Sequence, residues 1–402
     1  MKYELRDYQS AASDAAVSFF SEPNNCKHNG LLILPTGAGK SLVIADIASK
    51  IDEPLIVLQP NREILQQNFA KLMSYGAWDC SIYSASLNRK EINRITFATI
   101  GSLMNHVEDF DHFHKILIDE CHLVNPREGQ YKEFIERVEG RQVIGLTATP
   151  YRLGQTIDPK TINSKWPKYG SILKFLTRTR PRVFDRVLYH CQIKTLLEAG
   201  YLAKLRYFDM NAIDLGKVKL NTTGADYDDK SLFKEFERVG FYEYTLDIVK
   251  RVMRPKNGST RHGILVFCRF VEDAERLAND LGDVCEVVSG TTPKKEREAI
   301  LERFKYGKTE VVANVGVLTT GFDHPALDTI ILARPTMSLA LYYQMVGRAI
   351  RPYPDKDGWV VDLCGSVAKF GKVEDLWLDH DEHGSWIITS NGTQLTNIFM
   401  RK

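Results

Sequence analysis

The chain has 402 residues, 44% of them hydrophobic and 26% charged, with 53 Lys and Arg against 51 Asp and Glu. That is the balance of an ordinary globular protein of two or three domains, and it excludes collagen-like, low-complexity and largely disordered chains. A net charge of +2 advertises no polyanionic partner, so any nucleic-acid surface has to be local.

No apolar run reaches the roughly 20 residues of a membrane span, and Met1-Lys2-Tyr3-Glu4 lacks the basic-then-apolar layout of a secretory leader. A cytoplasmic location is expected. The seven cysteines are widely spaced with no C-x-x-C pair, which argues against a disulfide framework and a four-thiolate zinc site.

Short apolar runs at 30–34, 55–58, 95–98, 116–119 and 143–146 alternate with helical periodicity at 41–50, 62–73 and 131–138. Strands alternating with helices predict a parallel sheet covered on both faces. The rhythm breaks from Tyr151 to about Arg261, where Pro159, Pro167, Pro181, Pro255 and the loop-like 256–260 read as a connecting region. A second series follows, with strands over 264–267, 284–288, 311–314, 329–332 and 359–363 and helices over 271–281, 293–305 and 340–349. The fold class is α/β. Its expected domains are 1–200, carrying an insertion at about 152–188, then a connecting segment at 201–262, a second domain at 263–365 and a tail at 366–402. Within the tail, Asn391-Gly392 between β-favouring residues predicts a hairpin.

The first strand runs into Pro35-Thr36-Gly37-Ala38-Gly39-Lys40-Ser41, and a helix starts at once. Such glycines let several backbone N–H groups face one point, the helix N-terminus adds partial positive charge, and Lys40 can reach β and γ phosphates. Leu34 stands where the general G-x-x-x-x-G-K-[ST] pattern has its first glycine, while Gly39-Lys40-Ser41 is intact. Alone, the loop leaves open a lesser alternative, a glycine-rich turn capping an ordinary helix. A second motif gives it chemistry: the apolar strand Ile116-Leu117-Ile118 ends in Asp119-Glu120-Cys121-His122. Asp119 can hold magnesium and Glu120 can polarise an attacking water, which supplies phosphoryl transfer with a metal anchor and a base.

Together these strings resemble superfamily 2 helicases, whose motor is a pair of RecA-like parallel-sheet domains (the tandem P-loop NTPase fold) with ATP bound between them. Leu5-Arg6-Asp7-Tyr8-Gln9 resembles the family's adenine-reading element. The resemblance therefore implies nucleotide contacts from Arg6, Gln9, Thr36, Gly37, Ala38, Gly39, Lys40 and Ser41, with Mg2+ held by Ser41 and Asp119. Leu146-Thr147-Ala148-Thr149-Pro150 resembles the coupling segment, implying a relay through His122, Thr147 and Thr149. The stretch from Val315 to Asp323 resembles the element that meets both ligands, with Gly321 and Asp323 towards nucleotide and Thr319 and Thr320 towards nucleic acid. Gln344-Met345-Val346-Gly347-Arg348-Ala349-Ile350-Arg351 matches Q-x-x-G-R-x-x-R. On a helix, Gln344, Arg348 and Arg351 fall at i, i+4 and i+7 and share one face. Arg348 and Arg351 are expected to aim guanidinium at the γ phosphate, an effect on the order of 10³ to 10⁵ in rate. The longer strings around Gly39, Thr147 and Thr319 resemble RadD-type bacterial DNA-repair helicases, relatives that usually continue into a cysteine-rich, zinc-binding extension.

The same resemblance implies strand contacts at Arg62, Thr99, Ser102, Arg269, Ser289 and Gly290, since hydroxyl and glycine positions suit contacts to phosphate. Between Lys160 and Arg186 a basic run (Lys160, Lys165, Lys168, Lys174, Arg178, Arg180, Arg182, Arg186) is interleaved with Trp166, Tyr169, Phe175 and Phe184. It reads as a DNA-binding insertion with Lys174, Arg178 and Arg180 on phosphates; the plainer reading is a solvated loop with its aromatics in the core. The expected function is that of an ATP-dependent nucleic-acid motor, a DNA helicase or translocase acting on single-stranded or branched DNA in repair or recombination. The catalytic set is Lys40, Asp119, Glu120, Gln344, Arg348 and Arg351, and a single-stranded-DNA-binding protein is a candidate partner. A double-stranded DNA translocase or restriction motor, an RNA helicase and an ATP-gated DNA-binding module stay open as alternatives.

Overall fold

The computed structural model describes residues 4–138, 141–167, 169–256, 258–319 and 322–400. The chain divides into two units, the first taking in 1–152, 174–192 and 380–386, the second 153–173, 193–379 and 387–402.

The first unit is built from α1 (Asp7–Ser21), β1 (Asn29–Ile33), α2 (Lys40–Lys50), β2 (Leu55–Gln59), α3 (Arg62–Ser74), β3 (Cys80–Ser84), β4 (Ile95–Thr99), β5 (Lys115–Ile118), α4 (Gln130–Arg137), β6 (Gln142–Thr147) and β7 (Arg186–His190). Its sheet has the order β7-β1-β6-β5-β2-β4-β3, parallel throughout, with Arg89–Lys90 added antiparallel at the β3 edge. The central strands are unbroken apolar runs because helices cover both faces of a parallel sheet. Since β1, β6 and β5 are neighbours, the segments leaving their carboxyl ends emerge side by side, the position where open α/β sheets bind ligands. Helix α1 is locked to α2 by a buried bond in which Ser13 Oγ donates to Asp46 Oδ2 at 2.6 Å.

The second unit contains β8 (Leu205–Asp209), α5 (Asp229–Val239), α6 (Phe241–Met253), β9 (Ile264–Cys268), α7 (Val271–Leu281), β10 (Cys285–Val288), α8 (Lys294–Lys305), β11 (Val311–Asn314), β12 (Thr329–Ala333), α9 (Leu339–Val346) and β13 (Gly358–Asp362). Its strand order is β8-β13-β12-β9-β11-β10, again all parallel. The stretch 201–262, which reads from sequence as connecting, supplies β8 to this sheet and two helices whose Phe236, Phe241, Ile248 and Val249 join Val266 and Leu277 in its core. Strands Tyr169–Phe175 and Tyr151–Ile157 form a small sheet with Phe399–Met400, and the expected hairpin closes at Asn391-Gly392 with Ser390 opposite Thr393. Among the described residues no helix is long and apolar enough to cross a membrane.

Packing under the carboxylate loop is tight at Gly145 in β6, where a Cβ would stand 2.5 Å from Cys121 Sγ and 2.8 Å from Phe184 Cε1. Gly145→Ala is expected to cost about 1–3 kcal/mol through overpacking. Denaturant unfolding measures this, and an unshifted midpoint contradicts the packing.

Candidate nucleotide site

At the end of β1 the backbone turns through two left-handed glycines, Gly37 (φ 83°) and Gly39 (φ 79°), and Gly39 is the N-cap of α2. A side chain at Gly39 would be strained by that φ and would place a Cβ 2.5 Å from Gln9 Nε2. Gln9 is thus seated against the loop: its Nε2 donates to the Ala38 carbonyl at 2.8 Å, while its Oε1 accepts from the Arg6 N–H at 3.0 Å. Tyr8, within the same sequence motif but absent from the expected contacts, donates its hydroxyl to the same carbonyl at 2.9 Å. Lys40 and Ser41 are the first two residues of α2.

Beside this loop, Asp119 is 4% exposed, and its oxygens accept from the Glu120 N–H at 2.9 Å and from Asn68 Nδ2 at 2.9 Å. Burial, reinforced by the neighbouring Glu120 charge, pushes its carboxyl up to about 6. Glu120 adopts a left-handed backbone (φ 49°), rare outside glycine and a form of strain that clusters at functional sites. The consequence is a side chain aimed two ways: Oε1 lies 3.5 Å from Lys40 Nζ and Oε2 lies 3.3 Å from His122 Nδ1. His122 Nδ1 is in turn 3.0 Å from Thr147 Oγ1, and Thr147 Oγ1 accepts from the Thr149 N–H at 3.0 Å. The structure therefore assembles Lys40, Glu120, His122, Thr147 and Thr149 into one polar chain. Cys121 is fully buried against Gly145, as packing rather than as a nucleophile. The donor set suits a nucleotide triphosphate with a divalent cation: glycine N–H groups and Lys40 for phosphate, and a buried carboxylate whose ionised form a cation stabilises.

In the second unit, α9 stops at Val346, so the continuous helical face expected for Gln344, Arg348 and Arg351 does not form beyond Gln344. The chain turns at Gly347 and brings the two arginines together differently. Arg348 is 6% exposed and donates through Nη1 to the Phe322 carbonyl at 2.7 Å and through Nε to the Gln344 carbonyl at 3.3 Å. Arg351 pairs with Asp323, and burial draws its guanidinium below the usual arginine range. Both arginines are anchored to the 322–323 segment. Thr320 and Gly321 lie outside the described residues.

Two family matches follow this division. Residues 2–152 match the family described as Type III restriction enzyme, res subunit, and residues 244–353 match the Helicase conserved C-terminal domain. Together the two matches support a superfamily 2 helicase. IRC3 of Saccharomyces cerevisiae, provisionally named an ATP-dependent helicase, is 25% identical over 90% of this chain and 52% of its own length. The DNA 3'-5' translocase XPB2 of Sulfurisphaera tokodaii is 24% identical over 90% of this chain and 82% of its own length. Among solved structures, the ATP-dependent Type ISP restriction-modification enzyme LlaBIII bound to DNA is similar with a TM-score of 0.64 and 18% identity, covering 90% of this chain and 28% of that one. This last likeness shows the fold. The chain spans about half the length of the yeast relative.

The residues that helicase resemblance assigns to nucleic acid fare unevenly. The Thr99 hydroxyl at the end of β4 lies 2.8 Å from that of Ser102, the Ser289 N–H donates to Thr292 Oγ1 at 2.9 Å, and Gly290 and Thr319 occupy loops. Arg62 opens α3 and pairs with Glu63. Arg269 bridges Asp226 at 3.0 Å and Asp229 at 2.7 Å. In the basic run, Phe175 and Phe184 are buried, as the plainer reading has it, whereas Trp166 is 79% exposed. Arg178 and Arg180 are exposed, with Arg178 donating to Ser385 Oγ at 2.6 Å, and Lys174 is half-buried; Lys168 lies outside the described residues.

Raising the Asp119 carboxyl from 3.8 to about 6 makes its ionisation unfavourable in the folded state, so stability falls as pH climbs from about 4 to 6. Asp119→Asn should then be more stable than the native protein above pH 6 by about 1–3 kcal/mol, with the difference closing near pH 4. Unfolding midpoints across that range, without nucleotide or Mg2+, test it; parallel curves contradict the burial argument.

Proposed function

We propose that this chain is an ATP-driven motor that moves along nucleic acid, with DNA as its track. The observation that carries the reading is the polar chain from Lys40 through Glu120 and His122 to Thr147, because it joins the phosphate loop to a segment that can report the state of a bound nucleotide. ATP sits on Gly37, Gly39 and Lys40, with Ser41 and Asp119 holding Mg2+, Glu120 orienting the attacking water, and Arg6 and Gln9 facing the base. The Mg2+ ion supplies charge neutralisation for the phosphates. Arg348 and Arg351, with Gln344 and Asp323, serve the charge that develops on transfer.

DNA is favoured over RNA by the similarity to a DNA translocase and by the RadD-like strings, which also support a role in repair or recombination. The single strand contacts Arg62, Thr99, Ser102, Ser289, Gly290, Thr319 and Thr320, with Lys174, Arg178, Arg180 and the exposed Trp166 providing an accessory surface. A single-stranded-DNA-binding protein and a cytoplasmic setting belong to the same reading. A second reading, a double-stranded DNA translocase serving a restriction system, is favoured by the res-subunit match over 2–152.

ATP turnover with and without single-stranded DNA, duplex DNA and RNA separates these. Single strands should stimulate turnover most; stimulation by duplex alone moves the conclusion to the translocase, and no stimulation removes the motor. Lys40→Ala should abolish hydrolysis. Arg348→Ala should leave nucleotide affinity nearly unchanged while slowing turnover by about 10³, and normal kinetics in that variant would transfer the role elsewhere. Trp166→Ala should weaken single-strand binding by about 1–3 kcal/mol, the worth of one stacked base; unaltered affinity makes that ring a bystander.

A further inference from the structure

Asn68 lies on the face of α3 that enters the core, in line with Leu65 and Leu72, and is 1% exposed. A carboxamide in an apolar stripe is unfavourable unless its hydrogen bonds are made. Asn68 makes two with one nitrogen: Nδ2 donates to Gln59 Oε1 at 3.0 Å and to Asp119 Oδ2 at 2.9 Å. Gln59 closes β2 and is fully buried, and Asp119 follows β5, the strand beside it, with the Asp119 N–H bonded to the Leu58 carbonyl at 3.0 Å. The orientation of the amide is set by Asp119, since the flipped amide would press an oxygen against a carboxylate. That orientation leaves Asn68 Oδ1 and Gln59 Nε2 buried without hydrogen-bond partners. The cluster is therefore arranged to give Asp119 a donor, not to satisfy its own amides.

Asn68 is also mechanically tied to the start of its helix. Asn61 caps α3, its side chain accepting from the Ile64 N–H at 2.9 Å, and Arg62 is the first helical residue. About two helical turns separate that end from Asn68, a rigid span. We infer that Asn68 is a positioning residue: it holds the Asp119 carboxylate in place and, through α3, makes that placement sensitive to whatever engages Asn61 and Arg62. The second half rests on the proposed function, in which a nucleic-acid strand is that ligand. Asn68 itself touches neither nucleotide nor strand; the reading gives a side chain outside the recognisable motifs a share in the coupling of track to fuel.

The test compares the native full chain with Asn68→Leu, a near-isostere suited to the apolar stripe, Asn68→Ser, which shortens the donor, and Asn68→His, which keeps a donor at the same branch. A fluorescent ADP analogue is titrated with Mg2+ and again with EDTA, and turnover is followed against single-stranded DNA. In EDTA the affinities should agree. With Mg2+, the Leu and Ser variants should lose roughly 10-fold or more of the metal-linked gain in affinity, the scale of a lost partner to a metal-binding group, and the histidine variant should recover most of it. Stimulation by DNA should fall further than unstimulated turnover. Native Mg2+ linkage and native stimulation in a folded Leu or Ser variant overturn the inference, and failure of both to fold overturns it in favour of a purely structural amide. Should DNA fail to stimulate the native chain, the motor reading falls by itself, and the Mg2+-linked affinity still decides what Asn68 does.

Discussion

Two adjacent carboxylates at the buried end of a strand repel each other and are poorly solvated, and the architecture of the first unit answers that one constraint. Asp119 receives two hydrogen bonds, from its neighbour's N–H and from Asn68, and Glu120 is turned through a left-handed backbone so that its charge meets Lys40 and His122 instead of its partner. The carboxylates, Lys40 and His122 meet because β1, β6 and β5 are adjacent, and Asn68 joins them from α3. Three segments far apart in sequence, at 34–40, 119–122 and 147–149, reach one place by sheet order alone. The close seat of Gln9 on Ala38 adds a fourth, from α1.

The second unit handles its charge in the opposite way. Its arginines are held by acceptors: the Phe322 carbonyl for Arg348 and the Asp323 carboxylate for Arg351. Carbonyl and carboxylate oxygens offset part of the desolvation that burial imposes on these guanidinium groups, and those partners can be exchanged for phosphate oxygens of similar geometry. Nearby, Lys356 donates to the Arg351 and Pro325 carbonyls at 2.9 Å, and burial draws its ammonium down to about 7. The segment is rich in cations held by main-chain oxygens, a composition matched to an anionic ligand.

Much of this is legible in the sequence. The central strands of both sheets are continuous apolar runs, and such runs between helical segments have few other interpretations. What was missed follows from physical causes. β3, with the sequence Cys-Ser-Ile-Tyr-Ser, and β7 and β8, with charged ends, lack the continuous apolar signature because they stand at or near sheet edges. Helix α9 is shorter than its periodicity predicts: Arg348 and Arg351 keep the spacing of a helical face, but the chain leaves the helix at Gly347. The basic run with aromatics gave two readings, and packing divided them, burying Phe175 and Phe184 and exposing Trp166. The ion pairs of Arg269 are not legible in the sequence, because Asp226 and Asp229 are brought to it by the start of α5. Asn68 left one faint signal, an amide at the spacing of Leu65 and Leu72.

Hydrogen–deuterium exchange, with and without a non-hydrolysable ATP analogue and Mg2+, tests the central claim most directly. The account predicts slowed exchange at 36–42 together with 119–123, because one ligand is served by the phosphate loop and the paired carboxylates. Protection confined to other segments, or protection at 36–42 with no change at 119–123, would contradict it.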